Sequence, residues 1–387
     1  MKTNETELIE FSILRLDFMA QGVHFEEKES AKAHEGPAFI PQTLPGEKGL
    51  ARIVKKKKGV RFAVIQKIET KSPHRIASDC IHYSKCNGCH YLHTDYEHEI
   101  NFKKDTFLFA LGKSQLENLP SLSVFKAPKR LNWRNRIQLH YDLKKNILGL
   151  KNTHEDTIIS IPNCLIGTPL IQQGIKELYQ ESKWKKLIAS SEPKEGHIEL
   201  YEKNGVVECT VNEQYASGGF TQVFEEMNEK MHQYIEGLTI GDAPCLDLFG
   251  GNGNLSKKFK TNRLIVDFYT DSKGNEKQKK EKSFFSLNLY DKRALNSLSN
   301  HAFIKSGSIH TLIIDPPRSG FSATADFVKR FKPNVIIYVS CNHQTQLNDI
   351  KPLVTGSSSK YEIAHLALFD LFPSTFHFET VIVLKKK

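Results

Sequence analysis

Short apolar runs alternate with polar turn residues in the first part of the chain, between about residues 9 and 72. The runs lie at residues 11–16, 36–40, 50–54 and 61–65. Short strands at regular spacing, with turn residues between them, are typical of a small β-barrel. We therefore predict a barrel over residues 1–75, and the run of four lysines at 55–58 places a basic loop on its surface.

The middle of the chain combines one helical pattern with strand patterns. Residues 93–113 repeat apolar side chains at helical spacing, at Tyr96, Ile100, Phe107 and Leu111. This pattern predicts a helix that packs on the catalytic domain. Residues 136–141 and 197–201 are strand-like, so we predict a β-rich central domain over 76–215.

From residue 218 onward, strand patterns alternate with helical ones, which predicts an α/β domain over 216–387 with a Rossmann-like sheet. The run at 335–340 is continuously apolar and β-branched, and it ends on Cys341. Such a run is typical of a central parallel strand buried on both faces. In sheets of this kind ligands bind beyond the carboxyl ends of the strands, so we expect Cys341 at a reaction edge.

Two more segments are expected to reach the same edge. The apolar run at 311–314 leads into Asp315, Pro316, Pro317 and Arg318, and residues 372–379 lead into a last strand at 380–384. A cysteine, a strand-end aspartate and the late carboxylate Glu379 should therefore face one crevice.

A glycine-rich turn follows another predicted strand, at residues 244–249. Residues 250–256 read Gly-Gly-Asn-Gly-Asn-Leu-Ser, and we predict that they lead into a helix whose N-terminus faces a nucleotide-like ligand. The ligand is a dinucleotide or S-adenosylmethionine, although the Gly-x-Gly-x-x-Gly dinucleotide pattern is absent. Asp267 and Asn288 end the next two strands, where they would meet ribose hydroxyls and an adenine edge. The polar segment 271–282 is predicted to be an exposed loop.

Seven cysteines, an odd number, argue against a disulfide framework and for reduced thiols. Three of them, Cys80, Cys86 and Cys89, lie within ten residues, and Cys164 follows downstream. Four thiolates of this kind hold zinc or an iron–sulfur cluster, and the spacing alone does not separate the two. Buried cysteines without a metal are the alternative interpretation.

Composition and charge indicate what the protein binds and in which compartment it is found. At 387 residues the chain is long enough for two or three domains, and its net charge of +10 favours a polyanionic partner such as nucleic acid. Basic residues alternate with an aromatic one around Trp133, which suits RNA stacking or a core position equally. The chain has no long apolar run and no apolar signal near Met1, so we expect a soluble cytoplasmic protein without a membrane partner, and a monomer.

From about residue 10 to its end, the chain resembles the S-adenosylmethionine-dependent RNA uracil-C5 methyltransferases. The resemblance rests on the cysteine cluster and on residues 247–255, 315–320, 340–342 and 372–379. It is greatest with the branch that has an N-terminal TRAM domain, an RNA-binding barrel, and a four-cysteine [4Fe-4S] site, and whose bacterial members methylate 23S ribosomal RNA. The fold implied is a class I methyltransferase domain behind a TRAM barrel and a β-rich region.

The resemblance also implies roles for individual residues. Cys341 corresponds to the nucleophile and Glu379 to the general base. The cofactor residues that it implies are Gln222, Phe249, Asn254, Asp267, Asn288 and Asp315. The cluster ligands that it implies are Cys80, Cys86, Cys89 and Cys164. Cys209 and Cys245 match nothing, and we assign them to packing.

Four alternatives stay open from the sequence. One alternative substrate is uridine 54 of tRNA, and one alternative function is that of an inactive RNA-binding member of the fold. RNA cytosine-C5 methylation usually requires a second cysteine near residues 315–318, where Arg318 stands instead. Adenine-N6 methylation uses an aromatic residue at the position of Arg318 and has no need of Cys341.

Overall fold

The computed structural model describes residues 7–26, 36–152, 156–190, 192–213, 222–239, 242–259, 262–268, 283–356 and 359–387. The polar segment predicted at 271–282 lies outside them. The strands are β1 (Leu8–Ser12), β2 (Arg15–Leu16), β3 (Gln21–His24), β4 (Ala38–Pro41), β5 (Lys48–Lys57), β6 (Val60–Thr70), β7 (Leu122–Phe125), β8 (Arg136–Asp142), β9 (Ile147–Asn152), β10 (Thr157–Ile159), β11 (Glu195–Lys203), β12 (Val206–Val211), β13 (Cys245–Leu248), β14 (Arg263–Asp267), β15 (Phe284–Ser286), β16 (Thr311–Ile314), β17 (Val335–Ser340), β18 (Tyr361–Phe369) and β19 (Glu379–Lys386). The helices are α1 (Tyr96–Ser114), α2 (Pro169–Tyr179), α3 (Lys183–Lys186), α4 (Glu225–Gly237), α5 (Ala294–Ser299), α6 (Ala302–Lys305), α7 (Thr324–Phe331) and α8 (His343–Val354), with a 3₁₀ turn at Gln180–Ser182.

The chain divides into two compact units. The first comprises Met1–Thr106, Lys129–Asn212 and Phe372–His377, and the second comprises Phe107–Pro128, Glu213–Leu371 and Phe378–Lys387. The boundaries that we drew at residues 75 and 215 stay predictions. In the described part of the chain, no helix combines the length and the apolar character that a membrane crossing requires.

The first unit begins with a six-stranded sheet in the order β1-β5-β6-β4-β3-β2, which fits the small curled barrel expected from the sequence. All neighbours are antiparallel except β4 and β6. Alternate residues of β1 are buried, so Ile9 and Phe11 enter the core while their neighbours face outward. A second sheet, in the order β10-β9-β8-β11-β12, contains both strands predicted for the middle of the chain.

The helix predicted over 93–113 begins at Tyr96 because Asp95 caps it. The Asp95 carboxylate accepts a hydrogen bond from the backbone N–H of His98 at 2.9 Å, which satisfies one of the free amides of the first turn. The division between the units falls within this helix, after Thr106. Phe107 and Leu111 belong to the hydrophobic core of the second unit.

Basic residues of the middle region are structural. Lys103 Nζ donates to Glu99 Oε1 at 2.8 Å, and both side chains are fully buried. Arg130 Nε donates to Glu99 Oε2 at 2.9 Å, and Arg136 pairs with buried Glu199. Trp133 is only 2% exposed. The stacking interpretation of this segment is therefore wrong for Trp133, and these two arginines stabilise the first unit, because a buried carboxylate needs a positive partner.

The second unit is built on an eight-stranded sheet in the order β15-β14-β13-β16-β17-β19-β18-β7. Its strands are parallel except β19, which runs antiparallel to both β17 and β18. Every residue of β17 is buried, as predicted, although only its β16 side is parallel. The carboxyl ends of β13, β16, β17, β18 and β7 therefore lie at one edge of the sheet, and β19 starts from that edge.

Candidate active site

The register of β17 and β19 brings Cys341 and Glu379 together. Ser340 at the end of β17 pairs with Thr380, and the Thr380 hydroxyl donates to the carbonyl of Ser340 at 3.1 Å. Cys341 and Glu379 are the next positions on each side of this pair. Directly opposed residues of antiparallel neighbours have Cβ atoms about 5 Å apart, so the thiol and the carboxyl share one small space.

Burial controls the protonation of this pair. Burial, and next the negative charge of Glu379, raise the pKa of Cys341 to about 11, although Arg318 acts in the opposite direction through its charge and a hydrogen bond. Burial and the nearby Asp315 raise the pKa of Glu379 well above its usual value. Burial and the charges of Asp247 and Asp267 raise the pKa of Asp315 to about 7. The free site thus holds a neutral thiol beside two carboxyl groups that do not both ionise easily.

The turn after β16, residues 315–320, is held by a residue that the sequence analysis did not identify. Asp349 of α8 accepts hydrogen bonds from the backbone N–H of Phe321 and from the Tyr338 hydroxyl, both at 2.6 Å. Gly320 has a φ of 75°, and a Cβ there would lie 2.7 Å from the Asp349 carboxylate. This turn therefore requires glycine. The signal in the sequence was a polar pair at helical spacing, Thr345 and Asp349.

Arg318 is held at the same turn by the start of α8. Asn342 Nδ2 donates to the carbonyl of Arg318 at 2.8 Å, while Asn342 Oδ1 caps the helix by accepting from the N–H of Gln344. Asn342, which follows Cys341, thus holds the backbone of Arg318, and the Arg318 side chain acts on the Cys341 thiol. In the sequence, Arg318 served only to separate rival reactions, and nothing in the local pattern indicated that its side chain would act on Cys341.

The glycine-rich turn follows β13 as predicted, but the predicted helix after it is wrong. The described residues up to 259 form successive turns, with positive φ at Phe249 (59°), Gly251 (58°) and Gly253 (71°). Three left-handed residues in five prevent an α-helix from starting there. Gly251 N–H donates to Asp267 Oδ2 at 2.8 Å, so the strand-end carboxylate of β14 closes the turn.

The other predicted cofactor residues lie around this turn and nearby. Asn254 exchanges side-chain hydrogen bonds with Asn228 of α4, at 2.9 and 3.2 Å. Asn288 is exposed, and its Oδ1 accepts from the N–H of Tyr290 at 3.0 Å. The ring of Phe249 lies 5.5 Å from that of Tyr290, centroid to centroid.

Some buried polar atoms of the second unit have no hydrogen-bond partner among the described residues. They include Gln222 Oε1, Asp247 Oδ1 and Ser286 Oγ. Ser286 is the partner of Asp267 in the β14–β15 pair, and Asp247 lies on β13. Unpaired buried polar atoms are costly, and bound ligands or waters commonly satisfy them. Two acceptor oxygens and a hydroxyl of this kind fit a polar nucleotide-like cofactor such as S-adenosylmethionine.

Four thiols lie in the first unit: those of Cys80, Cys86, Cys89 and Cys164. Burial raises the pKa of the last three, and repulsion from the other sulfurs adds to it. The N–H of Gly88 donates to Cys86 Sγ at 3.4 Å. No group of three or more histidine, cysteine or acidic side chains is arranged to hold a metal ion in the ranges that the structure describes.

Comparison with known proteins gives a consistent picture. A family model described as tRNA (Uracil-5-)-methyltransferase matches residues 280–387. The chain is 25% identical to the 23S rRNA (uracil(1939)-C(5))-methyltransferase RlmD of Shewanella woodyi, over 97% of this chain and 96% of that protein. Its identity with the RlmD of Haemophilus influenzae is 26%, over 100% and 98% of the two chains.

The fold matches a solved structure over nearly its whole length. That structure is the Pyrococcus abyssi tRNA (uracil-54, C5)-methyltransferase in complex with S-adenosyl-L-homocysteine, with a TM-score of 0.68, 20% identity, and coverage of 97% of this chain and 99% of that one. At this identity the likeness establishes the fold.

Proposed function

We propose that this chain, a member of the RNA uracil-C5 methyltransferase family, transfers a methyl group from S-adenosylmethionine to C5 of a uridine in 23S ribosomal RNA. The observation that carries the proposal is the β17–β19 register, which sets Cys341 beside Glu379. Relatives named for 23S ribosomal RNA match this chain over almost all of its length. Uridine 54 of tRNA is the second candidate, and the match of residues 280–387 to the family model described as tRNA (Uracil-5-)-methyltransferase favours a tRNA substrate.

The reaction needs a nucleophile and a base because C5 of uracil is a weak carbon nucleophile. Cys341 releases its proton to solvent and its Sγ bonds to C6 of the ring, and the C5–C6 electrons move onto C5 and O4. C5 would then take the methyl group as the bond between that group and the cofactor's sulfur breaks. Glu379 then removes the proton from C5, and the electrons of that C–H bond reform the double bond as the S–C6 bond breaks. Both groups are regenerated once the Glu379 proton leaves.

The resting protonation of the site fits a reaction that begins only with RNA bound. Burial holds Cys341 as a thiol in the free protein, and Arg318 stabilises the thiolate by its charge and a hydrogen bond. The target carbon is hidden in stacked RNA, so the uridine must be flipped out or come from a loop. Asp315, held by the turn that Asp349 anchors, lines the pocket for the ring.

The residues proposed to hold S-adenosylmethionine are Gln222, Phe249, Asn254, Asp267, Asn288 and Asp315. When bound, this cofactor supplies a methyl group on a positively charged sulfur, an electrophile for C5. The observation in favour is that Oε1 of Gln222 has no hydrogen-bond partner within the described ranges, and a cofactor would supply a donor. Asp267 keeps the glycine turn closed around the ligand.

We further propose that a TRAM-like barrel (1–75) and the region 76–215 bind RNA, while residues 216–387 form the methyltransferase domain. We also propose a [4Fe-4S] cluster on Cys80, Cys86, Cys89 and Cys164. The resemblance to the branch with a four-cysteine site and the amide donated to Cys86 Sγ support the cluster. Methyl transfer involves no net redox change, so the cluster would organise the RNA-binding region. Anaerobic purification should give about four irons per chain, and bound zinc would contradict the cluster.

Trapping on modified RNA tests the reaction. Substrate RNA that carries 5-fluorouridine in place of the target uridine should remain bonded to the thiol, because fluorine cannot leave C5 as a proton does. We expect a covalent protein–RNA complex with the wild-type chain and none with Cys341→Ala. Fragments of 23S ribosomal RNA and tRNA run side by side decide the substrate. A wild-type chain that traps on neither RNA would refute the assignment.

A further inference from the structure

A surface cavity of about 460 Å³ in the second unit lies outside the proposed catalytic and cofactor residues. It forms between the end of β7 and the helix α4. Its lining residues are Val124, Phe125, Lys126, Lys230, Gln233 and Tyr234. None of them has a part in the chemistry proposed above.

Strand register connects this cavity to the catalytic carboxylate. Glu379 is the cross-strand partner of Phe369, and Phe369 is the partner of Phe125. Paired residues in one row of a sheet point to the same face, and neighbouring strands are about 4.8 Å apart. The cavity therefore opens about 10 Å from Glu379, at the edge of the sheet where the uridine would react.

The floor of the cavity is aromatic and its rim is basic. The Phe125 ring stacks on that of Phe369, with centroids 4.3 Å apart and planes 2° from parallel, and Tyr234 meets Phe125 edge-on at 5.0 Å. Lys126 and Lys230 are exposed, and Lys230 Nζ donates to the carbonyl of Lys126 at 3.4 Å. A rigid ring surface bordered by two ammonium groups suits a base and its phosphate.

We propose that this cavity binds an unpaired nucleotide next to the target uridine in the substrate RNA. The base lies against Tyr234 and Phe125, and the lysines contact the phosphates. The inference rests on the proposed function, since it requires RNA with the target base in the active site. It gives the β7–α4 cavity a role in choosing single-stranded substrate around the modified position.

The lysines are tested by the salt dependence of RNA binding. The double variant K126A/K230A of the full chain should bind the target RNA fragment about tenfold more weakly, with a log–log salt slope smaller by about two. The matched control is K305A/K329A. It removes the same charge from the last turns of α6 and α7, which precede the amino ends of β16 and β17. We expect this control to keep both values close to wild type.

The rings are tested by removing single bases from the RNA. An abasic site at one position flanking the target should weaken binding to wild type by roughly tenfold. Tyr234→Leu should lose this difference, whereas Tyr234→Phe should retain it. A general folding defect would not abolish a preference for one base position.

The outcome separates this inference from the proposed function. If wild type forms the fluorouridine adduct while K126A/K230A binds RNA with the wild-type slope, and no flanking position depends on Tyr234, the nucleotide site is wrong and the reaction stands. A wild-type chain that forms no adduct overturns both.

Discussion

Two buried glutamates, Glu99 in the first unit and Glu379 in the second, differ in how their charge is compensated. Glu99 accepts hydrogen bonds from Lys103, from Arg130 and from the backbone N–H of Ser374 at 2.6 Å. Glu379 has Asp315 as a neighbour, and burial with that negative charge outweighs the effect of Arg318. A compensated carboxylate holds a structure together, whereas an uncompensated one binds and releases protons readily.

The largest expected effect is on the rate of methyl transfer, when the uncompensated Glu379 or its neighbour Cys341 is substituted. Cys341→Ala should abolish methyl transfer, and Glu379→Gln should lower turnover about 10³-fold, because the C5 proton then has no base. Burial disfavours the ionised form of both groups, so we expect chemical unfolding to show little loss of stability in either variant. Single-turnover methylation of the target RNA measures the rates. If the methylation rate of Glu379→Gln were within tenfold of the wild-type rate, Glu379 would not be the base, and the distinction between the two glutamates would be wrong.

The next largest effect is on the free energy of unfolding, when the compensated Glu99 is substituted. Glu99→Gln leaves the fully buried Lys103 without its anion, and we expect it to cost about 3–5 kcal/mol of unfolding free energy. Urea unfolding of the full chain measures this. Glu97→Gln, an exposed change in the same helix, is the control and should stay within about 0.5 kcal/mol of wild type. Equal stability of the two variants would contradict a structural role for Glu99.

The pH dependence sharpens the same contrast. The pKa of Cys341 is raised to about 11 and that of Glu379 well above its usual value, and the reaction needs a thiolate and an ionised base. The single-turnover rate should therefore rise with pH, by about tenfold per unit between pH 6 and 8. Arg318→Gln should move this rise to higher pH, because Arg318 lowers the pKa of the thiol. A rate that falls across this range would show that the protonated forms react.

The smallest effect is expected at the turn that Asp349 holds. Asp349→Asn weakens the bonds from Phe321 N–H and Tyr338, so the 315–320 turn is less well positioned, and kcat should fall about fivefold. Tyr338→Phe removes only one of these bonds and should have a smaller effect. Because Asp349 acts through the turn, the pH profile should keep its shape. A changed profile would mean that Asp349 takes part in proton transfer.

The sequence was sufficient to predict which strands are buried and where they end. It was not sufficient to predict which residues, far apart in the chain, pair or form hydrogen bonds with each other. The apolar run at 335–340 correctly predicted a buried strand, and its polar ending correctly placed Cys341 at an edge. Whether Ser340 would pair with Thr380 depends on an antiparallel register that no local pattern encodes.

The errors have the same origin. Arg130 lies in a basic segment typical of RNA binding, yet its partner Glu99 precedes it by 31 residues. The glycine-rich turn suggested a helix start because a turn of this kind after a strand commonly leads into a helix in α/β folds. The positive φ of Phe249, a conformation unusual for an aromatic residue, was not visible in the sequence.

The most direct test is the intact mass of Glu379→Gln after incubation with S-adenosylmethionine and unmodified target RNA. If Cys341 attacks C6 and Glu379 removes the C5 proton, the variant should accumulate a protein–RNA adduct that is one methyl group heavier than the sum of its parts. The adduct should be absent from the Cys341→Ala, Glu379→Gln double variant. Methylated RNA released at the wild-type rate, with no adduct at any time, would contradict the assignment of these two residues.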